Sequence, residues 1–99
     1  MRVVFSKFAK RELDDAIRYY EIELQGLGKR FREEVRMAAK RIAKYPEAWS
    51  VERGEIRKCL LHKFPYKLLY SVEQDHIFII AVAHQHRKPD YWIERHKTY

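Results

Sequence analysis

"YKLLYSVEQDHIFIIAVAH", residues 66–84, is the stretch whose reading decides the fold. Its first part alternates, placing Tyr66, Leu68, Tyr70 and Val72 on one side of an extended chain and Lys67, Leu69, Ser71 and Glu73 on the other. Gln74-Asp75 then predicts a two-residue hairpin turn. "HIFIIAVAH" (76–84) is apolar on both sides, as a central strand covered by helices requires. Immediately upstream, "EIRKCLL" (55–61) also alternates, with Ile56, Lys58 and Leu60 opposite Arg57, Cys59 and Leu61, and "HKFP" (62–65) connects it to the next strand. Strands joined this closely become neighbours, so three consecutive antiparallel strands follow. Residues 46–54 read as a loop.

The period upstream of that loop is helical. "RVVF" (2–5) predicts a short strand that stops at Ser6, a good helix N-cap. Ala9, Leu13, Ala16, Ile17, Tyr20 and Leu24 then form one apolar stripe, with Glu12, Asp14, Asp15 and Arg18 elsewhere on the wheel. "QGLG" (25–28) ends this helix and reverses the chain. Leu27, Phe31, Val35, Ala38, Ile42 and Tyr45 form a second stripe that Pro46 terminates. Pro89 suits the first turn of a short C-terminal helix over 89–96. The expected fold class is therefore α+β in the order βααβββα. An antiparallel helical hairpin packs on a small, mainly antiparallel, four-stranded sheet, with a short C-terminal helix, all in a single domain over 1–99.

The chain has 99 residues, enough for one hydrophobic core and too few for a second. No apolar run approaches the roughly 20 residues that span a bilayer, and "MRVVFSKFAK" lacks a signal-peptide core, so the expectation is a cytoplasmic protein without membrane association. A lone cysteine, Cys59, excludes an internal disulfide and a cysteine-based zinc site. No P-loop, dinucleotide glycine motif or Ser/His/Asp order is present, and no cofactor or metal is expected.

The net charge of +7 points to an anionic partner, and it is unevenly spread. Residues 29–44 hold seven basic side chains against Glu33 and Glu34. Lys29, Arg32, Arg36 and Lys40 follow helical spacing, as a solvated face or as a contact for an acidic partner or a phosphate backbone. A second basic group converges only through folding: Arg57, Lys58, Lys63, Lys67, His84, His86 and Arg87, with Tyr91 beside them. By residue type this set could serve RNA cleavage, which needs a base for the ribose 2′-hydroxyl, cations for the phosphorane and an acid for the leaving oxygen. As His84 and His86 are two apart, continued strand geometry would point them the same way. Histidines at a strand end are also commonly structural.

The strings "AIRYYEIELQGLGKRFREEV" and "IRKCLLHKFPYKLLYSVEQDHIFIIAVAHQHRKPDYW" resemble the RelE/ParE superfamily of toxins from bacterial type II toxin–antitoxin systems. The likeness rests on Tyr19-Tyr20 before "GLG", on "FPYKLLY" (64–70), and on His84 followed by Arg87, Tyr91 and Trp92. It implies a growth inhibitor held silent in a hetero-oligomer by a cognate antitoxin, whose tail uses the sheet edge and the groove beside the helical hairpin. Lys29, Arg32, Arg36 and Lys40 are compatible with that partner. RelE-like members cut mRNA on the ribosome, whereas ParE-like members inhibit DNA gyrase. Lys58, Lys67 and Tyr91 match positions used by the nuclease branch. Leu60 stands where a second lysine is expected and Gln85 where an arginine is, with His84, His86 and Arg87 as candidates to compensate. The resemblance thus implies ParE-like action on a protein target such as gyrase. A RelE-like, metal-independent mRNA endonuclease and a non-toxic basic nucleic-acid-binding module are the alternatives.

Overall fold

The computed structural model describes the backbone of residues 1–98 and the side chains through Arg95. Its elements are β1 (Arg2–Phe5), α1 (Lys7–Glu23), α2 (Leu27–Lys44), β2 (Val51–Arg53), β3 (Ile56–Leu60), β4 (Tyr66–Val72), β5 (His76–His84) and α3 (Ile93–Thr98). The α+β class and the helical hairpin on one side of a sheet are as the sequence implies. The strand count is not: the sheet has five strands in the order β1-β5-β4-β3-β2. The extra strand lies inside the expected loop. Gly54, at φ 56°, allows a tight turn that folds Val51–Arg53 back on β3 with Val51 opposite Arg57.

Ser6 does what its position predicts. Its Oγ accepts from the Ala9 N–H at 3.0 Å and so caps α1. At the other end Glu21 reaches across the turn between the helices, accepting from the N–H groups of Gly26 (2.9 Å) and Gly28 (3.0 Å). Gly28 permits the helices to close there, because a Cβ on it would lie 2.5 Å from the Ile17 carbonyl oxygen. Phe31, Val35, Ala38 and Ile42 of α2 are fully buried against the sheet with Ala9 and Ala16 of α1. Leu24 and Tyr45, the ends of the two apolar stripes, are exposed instead, since each sits just past its helix.

β1 runs parallel to β5, from Arg2 opposite His76 to Phe5 opposite Ile79, and the other pairings are antiparallel. Opposite the Leu69–Tyr70 step, β5 carries one extra residue: Leu69 faces Ala81 while Tyr70 faces Ile79. This bulge changes the phase of the strand. Ile77 and Ile79 point toward the helical hairpin, Ile80 and Ala81 both point away from it, and Val82 points toward it again.

The second face of the sheet carries a smaller core of Ile56, Leu69, Phe78, Ile80 and Ala81, closed by Trp92. The segment that delivers Trp92 starts its helix later than expected, at Ile93 rather than at Pro89. Asp90 adopts φ 65°, a left-handed conformation that cannot continue a right-handed helix, so 89–92 form a turn.

Candidate functional site

The site is built around two carboxylates that bracket the C-terminal end of β5. The first is Glu12 of α1, about one-seventh exposed, whose neighbours Ala9 and Ala16 are buried. It accepts from the Val82 N–H (3.0 Å), the Tyr91 hydroxyl (2.7 Å) and the Arg95 guanidinium (2.9 Å), and Arg87 stands 3.9 Å away. The geometry follows from where β1 stops. Beyond Phe5 no strand covers that edge of β5, so α1 supplies the missing partners: Ser6 N–H and Oγ donate to the carbonyls of Ile79 and Ile80, and Glu12 takes the next amide. A buried edge left without such partners would cost about 1–3 kcal/mol per group.

The second carboxylate is Glu52 of β2, which lies 3.7 Å from Lys58 and 3.4 Å from Lys67. Next to it Arg53 pairs with Asp90 at 2.8 Å, so the extra strand is clamped to the C-terminal turn.

Beside Glu12 the cations also lie over aromatic rings. The Arg87 guanidinium sits 4.1 Å from the Tyr91 ring centroid, and Arg95 lies 4.7 Å from the same ring and 5.0 Å from that of Phe8. Burial, and then the hydrogen bond to Glu12, push the Tyr91 phenol well above its usual range. On the helix-facing side a cleft of ≈ 290 Å³ is lined by Asp15, Tyr19, Tyr66, His84 and Arg87, with Glu12 at its base. His84 stands edge-on to Tyr66 at 5.1 Å. Burial, reinforced by Tyr19 and Glu12, also raises the Tyr66 phenol.

The six residues expected to carry chemistry are therefore divided. Lys58 and Lys67 share Glu52; Arg87 and Tyr91 share Glu12; His84 faces the cleft. His86 lies past the strand, in a turn whose N–H donates to His84 Nδ1 at 3.1 Å. The two imidazoles stay 5.3 Å apart and tilted by 38°, held by that turn and not by strand alternation as expected. Sequence reading missed Glu12 and Glu52, and had placed Glu12 off the buried stripe. A signal was present for Glu12, which stands three residues after Ala9 and four before Ala16, on the inward arc of the helix. No comparable signal marked Glu52.

Lys29, Arg32, Arg36 and Lys40 are all exposed along α2, away from this site. Lys29, with Arg30 and Lys63, stands at the rim of an open groove of ≈ 970 Å³ whose floor includes Tyr20, Leu27 and Phe64. Glu34 in this groove is turned to the β3–β4 connection, where its carboxylate accepts from the backbone N–H groups of His62 and Lys63. Among the described residues, no group of three or more His, Cys, Asp or Glu side chains is placed to hold a metal ion, and no helix is long and apolar enough to cross a membrane.

Comparison with known proteins gives a consistent result. Residues 3–89 match the family described as "ParE toxin of type II toxin-antitoxin system, parDE". A solved structure, "Chromosomal ParDE TA system from P. aeruginosa", superposes with a TM-score of 0.75 at 15% identity, covering 85% of this chain and 95% of that one. No curated protein matches in sequence. The structural likeness carries the fold alone, but the family match spans most of the chain, including both helices of the hairpin and the sheet from Val3 onward, and so the chain belongs to the ParE toxin family of type II toxin–antitoxin systems.

Proposed function

We propose that this toxin arrests growth by acting on a protein target, DNA gyrase, and that it does not cut mRNA. The observation that carries this reading is the pairing of the would-be nuclease groups with the two carboxylates. Cleavage of an RNA backbone needs cations directed at the phosphorane and a group that exchanges a proton near neutral pH. Lys58 and Lys67 are both directed at Glu52, and the Tyr91 hydroxyl is a hydrogen-bond donor to Glu12 with its acidity suppressed. Gln85, where the nuclease branch would carry an arginine, offers a neutral amide and no fixed charge. In this reading a cognate antitoxin neutralises the toxin in a cytoplasmic hetero-oligomer. Its acidic segment meets the basic rim of the hairpin groove, where Lys29, Arg30 and Lys63 surround an apolar floor.

The test pairs two assays on the purified chain. Inhibition of gyrase-catalysed supercoiling with ribosome-bound transcripts left intact is the expected result; codon-phased transcript cleavage with normal supercoiling overturns it. At residue level, replacing both His84 and Arg87 by alanine is expected to abolish growth arrest while leaving antitoxin capture intact. Both side chains are at or just past the end of β5; His84 and Arg87 line the cleft, whereas the adjoining groove is lined by Tyr20, Leu27, Lys29, Arg30, Lys63 and Phe64 and by neither of them. Full toxicity of that double variant would place the target surface elsewhere.

A further inference from the structure

Several cations elsewhere on the molecule are answered by carboxylates: Arg2 by Asp75, Arg18 by Asp15, Arg53 by Asp90, Lys58 and Lys67 by Glu52, Arg87 and Arg95 by Glu12. α2 differs in the regularity of its exposed cations. Arg32, Arg36, Lys40 and Lys44 recur at every fourth residue and are all exposed, so they form one continuous row along its outer side. The row rises about 18 Å, at 1.5 Å per residue. Of the two carboxylates on the helix, Glu34 is turned away to the β3–β4 connection, and Glu33 pairs with Arg36 at 3.7 Å, with both side chains in solvent. Lys44 lies over the Tyr45 ring, 5.5 Å from its centroid. Like charges four apart destabilise a helix by a few tenths of a kcal/mol per pair, and this row holds three such pairs in succession.

We propose that this row is a contact surface for the phosphodiester backbone of duplex DNA. It is convex and mostly charged, with Met37 beside it and Tyr45 at one end, so it lacks the apolar centre around which protein interfaces are built. It presents no run of aromatic side chains on which unpaired bases could stack, which argues against a single strand. It does match a regular line of negative charge: a length of about 18 Å faces about five phosphates of one DNA strand at 3.4 Å each. The contact is independent of which molecule the toxin inhibits, and it positions the protein on DNA without reading sequence.

The experiment is fluorescence anisotropy of the full-length chain on a roughly 20-base-pair duplex of arbitrary sequence, across salt. Four neutralised phosphates predict a slope of log K against log salt of about −3.6, which is about a 150-fold loss of affinity between 50 and 200 mM. Replacing Arg32, Arg36, Lys40 and Lys44 together by glutamine is expected to flatten that slope. All four are exposed, and an unchanged circular dichroism spectrum and melting temperature verify the fold. The control removes the same charge from exposed positions elsewhere, Lys7, Lys10, Arg11 and Lys88, and is expected to keep most of the slope. Equal losses in both variants would mean net charge alone is responsible and would overturn the proposal. So would tighter binding to duplex RNA or to a single strand, or a row variant that keeps DNA affinity but loses its antitoxin.

Discussion

The two faces of the sheet differ in what holds their covers down. On one face α1 and α2 lay a continuous apolar layer, with Phe31, Val35, Ala38 and Ile42 against Leu68, Tyr70, Ile77, Ile79 and Val82. On the other, the C-terminal segment offers Trp92 to a smaller apolar patch and is otherwise fastened by polar contacts: Tyr91 and Arg95 to Glu12, Asp90 to Arg53. Apolar burial is non-directional and tolerates small shifts, whereas a shared carboxylate fixes positions and orientations. The first face thus supplies stability, and the second supplies the geometry of the candidate site, in which Lys58, Lys67, Arg87 and Arg95 are each placed by a carboxylate.

The largest expected effect tests the first face. Phe31→Ala removes a fully buried ring that also packs on Tyr20, Phe64 and Tyr66, and should cost about 3–5 kcal/mol in urea denaturation. A loss under 1 kcal/mol would mean that the hairpin face is not the main source of stability.

Glu12→Ala tests the second face. It strips the acceptor from the Val82 N–H and the Tyr91 hydroxyl and the carboxylate from Arg95, at a cost of about 2–4 kcal/mol. The difference between the faces predicts where the damage goes. Amide exchange should accelerate first at Val82 and in the C-terminal turn, while amides of β4 and α2 keep their protection. Uniform acceleration across the sheet would erase the distinction.

The smallest effect is a pH dependence. Burial pushes the Tyr70 phenol from 10.0 to about 12, and its hydroxyl donates to the Pro46 carbonyl at 2.7 Å, tying β4 to the end of α2. The fold retains a proton that the unfolded chain releases first. Its contribution is therefore complete below pH 10 and is lost as the pH rises from 10.0 toward 12, by about 2 kcal/mol. Tyr70→Phe should flatten that alkaline limb, and an unchanged limb would assign it to other groups, with Tyr91 on the opposite face the first to examine.

Much of this molecule is legible in one dimension. Alternation in 66–84 and the period of four in 9–42 determined the strands, the helical hairpin and which aliphatic residues meet, because apolar periodicity is a local property that maps directly onto a buried side. Ser6 and Gln74-Asp75 placed a cap and a turn for the same reason, local backbone chemistry. The family resemblance was legible too, since its motifs lie in contiguous strings.

What the sequence could not determine depends on partners far apart in the chain. The extra residue in β5 carries no mark in "HIFIIAVAH", yet by shifting the phase it sends Val82 and His84 to the helix side, where strict alternation with Phe78 and Ile80 would put them on the other. The bulge is held by Ser6 and Glu12, the latter 70 residues before the amide it accepts. In the same way Glu52, unremarkable in a presumed loop, holds the two lysines that residue type alone had made candidates for chemistry. Composition and period determined what this protein is built from and which side each element buries. Only the tertiary structure decided which charges are answered and which remain open, because an ion pair depends on a distance that no local pattern encodes.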